Sequence, residues 1–158
     1  MNAPIVSESE LFAVVEEARA SGRRVAFANG CFDLLHVGHI RYLQSAAQVA
    51  ELLVVAVNGD RSVRELKGPG RPVMNERERA ELISAIRGVS YVTIFREKSP
   101  IRLIELLKPD FQCKGTDYTP ESVPEGDIVR SYGGKVVIVG DPKDHSSTEI
   151  LERMKDEG

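Results

Sequence analysis

A chain of 158 residues, 42% hydrophobic and 28% charged, fits one soluble domain with a core large enough to need no staples. Its net charge of −3 argues against a general nucleic-acid binder, and no apolar run approaches the roughly 18 residues that span a bilayer. No signal-peptide pattern opens the sequence, and Cys31 and Cys113 stand in unlike settings, so reduced thiols in a cytoplasmic protein are the expectation.

Helix-like and strand-like segments alternate from end to end. Leu11 to Ala20 has apolar positions at helical spacing, with Ser7 and Ser9 as candidate caps and Gly22 as a stop. Val25–Ala28 reads as a strand and His39–Ala50 as a crossover helix. Leu52–Val57 is a continuous apolar run, the mark of a strand covered on both faces of a parallel sheet. The Gly/Pro-rich stretch Lys67–Pro72 predicts a mobile loop, about Val63 to Val73, before Asn75 caps a helix over Glu76–Arg87. Tyr91–Phe95 and Phe111–Lys114 read as strands, with a helix over Pro100–Leu107 between them. Glu125–Ser131 (helix), Lys135–Val139 (strand) and Ser147–Lys155 (helix) follow. This predicts a Rossmann-like α/β fold, a doubly wound parallel sheet of about five strands in a three-layer single domain, residues 1–158 with a core over about 7–155. Ligands of such sheets bind at the strand carboxyl ends, where every loop singled out below would open.

The segment Asn29–His39 passes from the first strand into the first crossover helix and carries His36, Gly38 and His39. Unpaired amides and the macrodipole at a helix start favour anions, Gly38 removes a side chain where a phosphate could approach, and two imidazoles add donors. That suits phosphate transfer. The blander readings are specific. A zinc site would want further ligands, and His145 lies in a distant loop. Cys31 reads as a small residue in a tight turn, Asp33 as a cap of the helix start or else a ligand-site residue, and Lys67 as a solubilising or a phosphate-binding lysine. Asn58 and Asp60 divide between turn chemistry and ligand contact.

These residues resemble the nucleotidyltransferase superfamily with the His-x-Gly-His signature, in its cytidylyltransferase-like branch. Asn29–His39 resembles the first motif, Val57–Asp60 a second strand end, Glu76–Arg79 the Glu-x-x-Arg helix start, and Ser146-Ser147-Thr148 the last motif. The segments Arg23–His39, Leu66–Val73 and Lys114–Tyr118 are closer still to the adenylyltransferase domain of the bacterial heptose-phosphate enzymes, a resemblance that covers roughly residues 7 to 152. That domain is often fused to a sugar kinase; here it would stand alone.

The resemblance implies that a sugar 1-phosphate oxygen attacks the α-phosphorus of a nucleoside triphosphate and pyrophosphate leaves, so catalysis is positioning and charge stabilisation. It makes His36, His39 and Lys67 catalytic, and Arg79 a second cation on the pyrophosphate. Asn29, Gly30, Cys31, Phe32, Asp33 and Gly38 would form the nucleotide-binding turn. Ser146, Ser147 and Thr148 would hold the β- and γ-phosphates, Lys114, Gly115 and Asp117 the base and ribose, and Asn58 and Asp60 would face nucleotide or acceptor. Mg²⁺ is implied, carried by the triphosphate rather than a protein cage. A homodimer is implied as well. One departure stands out: Asp141–His145 lacks the arginine that commonly precedes the last motif, leaving Lys143, His145, or Arg79 with Lys67 to supply the charge.

The expected acceptor is D-glycero-D-manno-heptose 1-phosphate and the expected donor ATP, serving lipopolysaccharide or capsule. The alternatives are GTP with the other anomer, a glycerol-3-phosphate-type enzyme using CTP, and a nucleotide-binding module without catalysis. The intact histidine pair speaks against the last. Class I tRNA aminoacylation shares the motif, but the chain is too short for tRNA recognition.

Overall fold

The computed structural model describes residues 1–141 and 151–155. The elements run α1 (Glu8–Ala20), β1 (Val25–Gly30), α2 (Val37–Ala46), β2 (Leu52–Asn58), α3 (Asp60–Lys67), α4 (Glu76–Ser84), β3 (Tyr91–Phe95), α5 (Ile101–Leu107), β4 (Phe111–Lys114), α6 (Gly126–Ser131) and β5 (Lys135–Ile138), with 151–155 helical again. The five strands form one sheet in the order β3-β2-β1-β4-β5, every pair parallel.

The apolar runs of β1 and β2 serve two cores because successive side chains leave opposite faces. On one face Ala26, Ala28, Leu53, Val55 and Val57 meet Leu43 and Ala46 of α2 and Ala80 and Ile83 of α4. On the other, Val25, Phe27, Val54 and Ala56 meet Leu11 and Val15 of α1, Leu103, Ile104 and Leu107 of α5, and Val129 of α6. This is the three-layer arrangement the alternation predicted. No helix among the described residues is long and apolar enough to cross a membrane.

Two features depart from the sequence reading. Packing begins before the expected residue 7: Ile5 bridges Val92 in parallel, the Val6 amide donates to the Val92 carbonyl at 2.8 Å, and the Thr93 hydroxyl donates to the Val6 carbonyl. Ile5 and Val6 cover the outer edge of β3, which would otherwise present unpaired backbone groups. Second, the expected loop from Val63 is helical as far as Lys67. Helix α3 buries only Ser62 and Val63 and lacks the apolar stripe that betrays a helix in sequence. Charge supports it instead: Asp60 in the first turn, Arg64 and Lys67 in the last, and an Arg61–Glu65 pair one turn apart at 3.3 Å. Gly68, at φ 95°, ends it. Helices α2 and α4 also stop short of the predicted Ala50 and Arg87.

Candidate active site

The chain leaves β1 in one direction through α2 to β2 and β3, then returns to place β4 on the other side of β1. Such a switch point opens a crevice between diverging loops. A cavity of about 600 Å³ lies there, within the usual range for a small-molecule site. All five loops at the strand carboxyl ends contribute to its wall.

His36 and His39 line it, side by side for a specific local reason. His36 is the N-cap of α2 and His39 is three residues on, and the two imidazoles form a reciprocal capping box. His36 Nδ1 accepts from the Gly38 amide at 3.1 Å, and His39 Nδ1 accepts from the His36 amide at 3.2 Å. A ring nitrogen that accepts carries no proton, so each ring holds its proton on Nε2. The rings stack with centroids 3.9 Å apart and an interplanar angle of 27°. This corrects the expectation of a bare helix start, because the Gly38 amide is already bonded. Gly38 itself is required for another reason: a Cβ there would lie 2.9 Å from the His36 ring. Phe32 supports the pair from its other side, its ring edge-on to His39 at 5.7 Å and its backbone in the left-handed region at φ 50°. A Cβ at Gly30 would crowd that phenyl ring, at 3.1 Å.

Asp33 is buried but does not cap α2 as expected. Its carboxylate accepts from the Val73 amide at 2.7 Å, the Met74 amide at 3.1 Å and Arg71 Nε at 2.9 Å. It therefore ties the β1 loop to the segment between α3 and α4. Burial pushes its pKa up, but the two amides and the guanidinium outweigh this and hold it below the ordinary carboxylate value. A carboxyl depressed in the folded state contributes stability above its unfolded value of about 4, and the contribution is lost as pH falls through the folded value. Asp33→Asn is expected to cost about 1–3 kcal/mol at neutral pH. Denaturant titrations should show the gap between wild type and variant narrowing in acid; a gap that does not depend on pH would contradict the assignment.

Arg79 is placed differently from expectation. It is fully buried and lies outside the cavity wall. Its guanidinium donates to the carbonyls of Met74 (2.9 Å), Cys31 (2.7 Å) and Asn58 (2.6 Å) and to Asp60 Oδ1 (2.8 Å). It joins the loops after β1 and β2 to the start of α4 and is not presented as a pyrophosphate cation. Asp60 is taken up by that pair and also lies off the wall, whereas Asn58 lines the cavity and donates to Ser62 Oγ and the Glu97 carbonyl.

The remaining predicted residues converge. Asn29, Gly30, Cys31, Lys67, Lys114, Gly115 and Asp117 all line the cavity. Lys67 makes no ion pair among the described residues, while Lys114 pairs with Glu125 at 3.3 Å and lies 5.4 Å from the Tyr118 ring centroid. Cys31 keeps its proton: burial raises its pKa despite Lys67, Arg79 and Arg71 nearby, which suits a turn residue rather than a nucleophile. Cys113 is pushed up to about 12 by burial. Ser146, Ser147 and Thr148, with Lys143 and His145, lie outside the described residues. Sequence reasoning missed Arg41, Tyr42, Arg71, Lys98, Tyr118 and Glu125 on the wall. Position after a strand could have flagged Lys98, and Arg71 sat unassigned in a segment already singled out. Tyr42 is different: its hydroxyl reaches the Cys113 carbonyl at 2.8 Å, a contact between elements far apart in sequence.

A cavity at a switch point, walled by paired imidazoles and lysines, is suited to binding phosphate groups. Residues 27–153 match the cytidylyltransferase-like family model. The chain belongs to the cytidylyltransferase-like family. It is 49% identical to the bifunctional protein HldE of Syntrophotalea carbinolica over 90% of this chain and 29% of that protein. It is 46% identical to HldE of Geobacter metallireducens over 97% of this chain and 31% of that one. It thus spans about a third of these relatives' length. Among solved structures, the lipopolysaccharide core biosynthesis protein of Thermoplasma volcanium is 28% identical, with a TM-score of 0.65, over 77% of this chain and all of that one. Pantothenate synthetase of Thermus thermophilus, 17% identical with a TM-score of 0.66 over 97% of this chain and 70% of that one, shares the fold.

Proposed function

We propose that this domain transfers a nucleoside monophosphate from a nucleoside triphosphate, ATP by preference, to D-glycero-D-manno-heptose 1-phosphate for surface polysaccharide. The observation that carries the reading is the imidazole capping box on the cavity wall, which fixes two Nε2–H donors on one helix start. The relatives named HldE and the lipopolysaccharide core neighbour support the heptose assignment. An acceptor phosphate oxygen forms a bond to the α-phosphorus, and the bond to the bridging oxygen breaks with its electron pair passing to pyrophosphate. The histidines stabilise the negative charge on the non-bridging oxygens, and Lys67 neutralises charge from the end of α3. Mg²⁺ would arrive with the triphosphate and neutralise its charge. Its expected ligands are phosphate oxygens and water rather than a protein cage.

Pyrophosphate release across four nucleoside triphosphates with both heptose 1-phosphate anomers tests the reading. ATP is expected to be used best, GTP next, and CTP and UTP poorly. Gly115 admits a flat ring beside Lys114 and Asp117, where a purine buries more apolar face than a pyrimidine. A specificity constant for CTP at or above that for ATP would refute the base assignment. The same resemblance carries a homodimer; a particle of 17.4 kDa by light scattering at micromolar concentration would contradict it.

A further inference from the structure

The cavity wall contains a guanidinium that the histidine chemistry does not use. Arg71 lies between α3 and α4, and its side chain is 9% exposed. Of its side-chain nitrogens only Nε is bonded among the described residues, to Asp33. Nη2 is shut off from solvent without an acceptor there. Arg79 shows what a structural arginine looks like in this fold, with every nitrogen engaged. Nor does the loop need Arg71 as its only anchor, since Asp33 already holds the Val73 and Met74 amides. Burying a guanidinium with its terminal edge unmatched is costly unless an acceptor arrives. That edge, Nη1 with Nη2, is a flat fork matched to two oxygens of one phosphate.

Position selects which phosphate. Strands β2 and β3 lie on one side of β1, and β4, with Lys114 to Asp117, lies on the other. Arg71 and Lys67 come from the segments that follow β2, and Lys98 and Ser99, from the loop after β3, line the same cavity. Lys67 and Arg71 both line the cavity on this side of β1. We propose that Arg71, held at Nε by Asp33, binds the phosphomonoester of the acceptor through its Nη edge and so selects a terminal phosphate dianion as the attacking group. This rests on the nucleotidyltransferase reading, in which the nucleoside lies toward β4.

Calorimetric titration of inorganic phosphate, into the free protein and into protein saturated with Mg²⁺ and α,β-methylene-ATP, separates the two sites. Arg71→Gln is expected to weaken phosphate binding at least about tenfold in both titrations and to leave the affinity for the nucleotide analogue within about threefold. Arg71→Lys, which keeps the charge without the fork, should fall between and serves if the glutamine variant folds poorly. Asp33→Asn, which loosens the loop but keeps the guanidinium, should lose less phosphate affinity than Arg71→Gln. Equal phosphate binding by wild type and Arg71→Gln overturns the proposal, as does no phosphate binding by wild type in the millimolar range. An equal loss for the analogue places Arg71 on the triphosphate and overturns it too. If wild type binds phosphate but no nucleotide, the nucleotidyltransferase reading fails while the free-protein titration still reports on Arg71.

Discussion

His39→Ala is expected to lower turnover about 100- to 1000-fold while leaving triphosphate affinity within a few-fold, the loss usual for one donor aimed at transition-state charge. The imidazole geometry makes the companion experiment at His36 more exacting. His36 is the N-cap of α2, and its Nδ1 accepts the Gly38 amide, so alanine removes both a cap and a donor. Loss of an N-cap costs about 1 kcal/mol, whereas asparagine is itself a good cap. His36→Asn should therefore keep wild-type thermal stability and still lose turnover on the scale of His39→Ala; His36→Ala should lose both. Single-turnover rates with Mg²⁺ and nucleotide, beside thermal melts, separate the effects. Near-wild-type turnover in His39→Ala or His36→Asn would refute the catalytic assignment.

The second large effect falls on stability. Arg79→Leu would strand the carbonyls of Met74, Cys31 and Asn58 and leave Asp60 without its cation. Each buried acceptor left unsatisfied costs about 1–3 kcal/mol, together a large share of the roughly 5–15 kcal/mol that holds a domain folded, while Asp60, 35% exposed, adds less. Arg79→Lys should recover little, because a single ammonium cannot meet carbonyls from three loops and a carboxylate in one plane. Urea denaturation measures both variants. A stable Arg79→Lys protein with weakened triphosphate binding would restore the pyrophosphate role that the motif suggested.

Arg79 and Asp33 also show where sequence reading stops. Both were recognisable by their place in a motif, and the structure bonds both to groups that the motif does not contain. A guanidinium near a helix start reads as an anion ligand until the carbonyls it reaches are known, and those come from Cys31 and Asn58, 48 and 21 residues away. Asp33 looked like a cap for the helix that follows it, but its acceptors serve amides about 40 residues downstream. The histidine pair was legible because His36 and His39 act through a local device, a capping box whose spacing is set by one helical turn. The loop after β2 was half legible: Gly68 ends α3 as a glycine should, but a helix held by charge pairs leaves no apolar period to read.

By itself the sequence determined the alternation of elements, the doubly covered parallel strands and the helix start that bears the histidines. Each depends on residues a few positions apart, through side-chain periodicity and capping. Only the tertiary structure decided that β4 returns beside β1, that Arg79 is locked among three loops, and that Arg71 comes to the cavity beside Lys67. Those outcomes depend on which donors and acceptors of distant loops meet once the sheet is assembled, and burial then makes any unmatched group too costly to leave undefined.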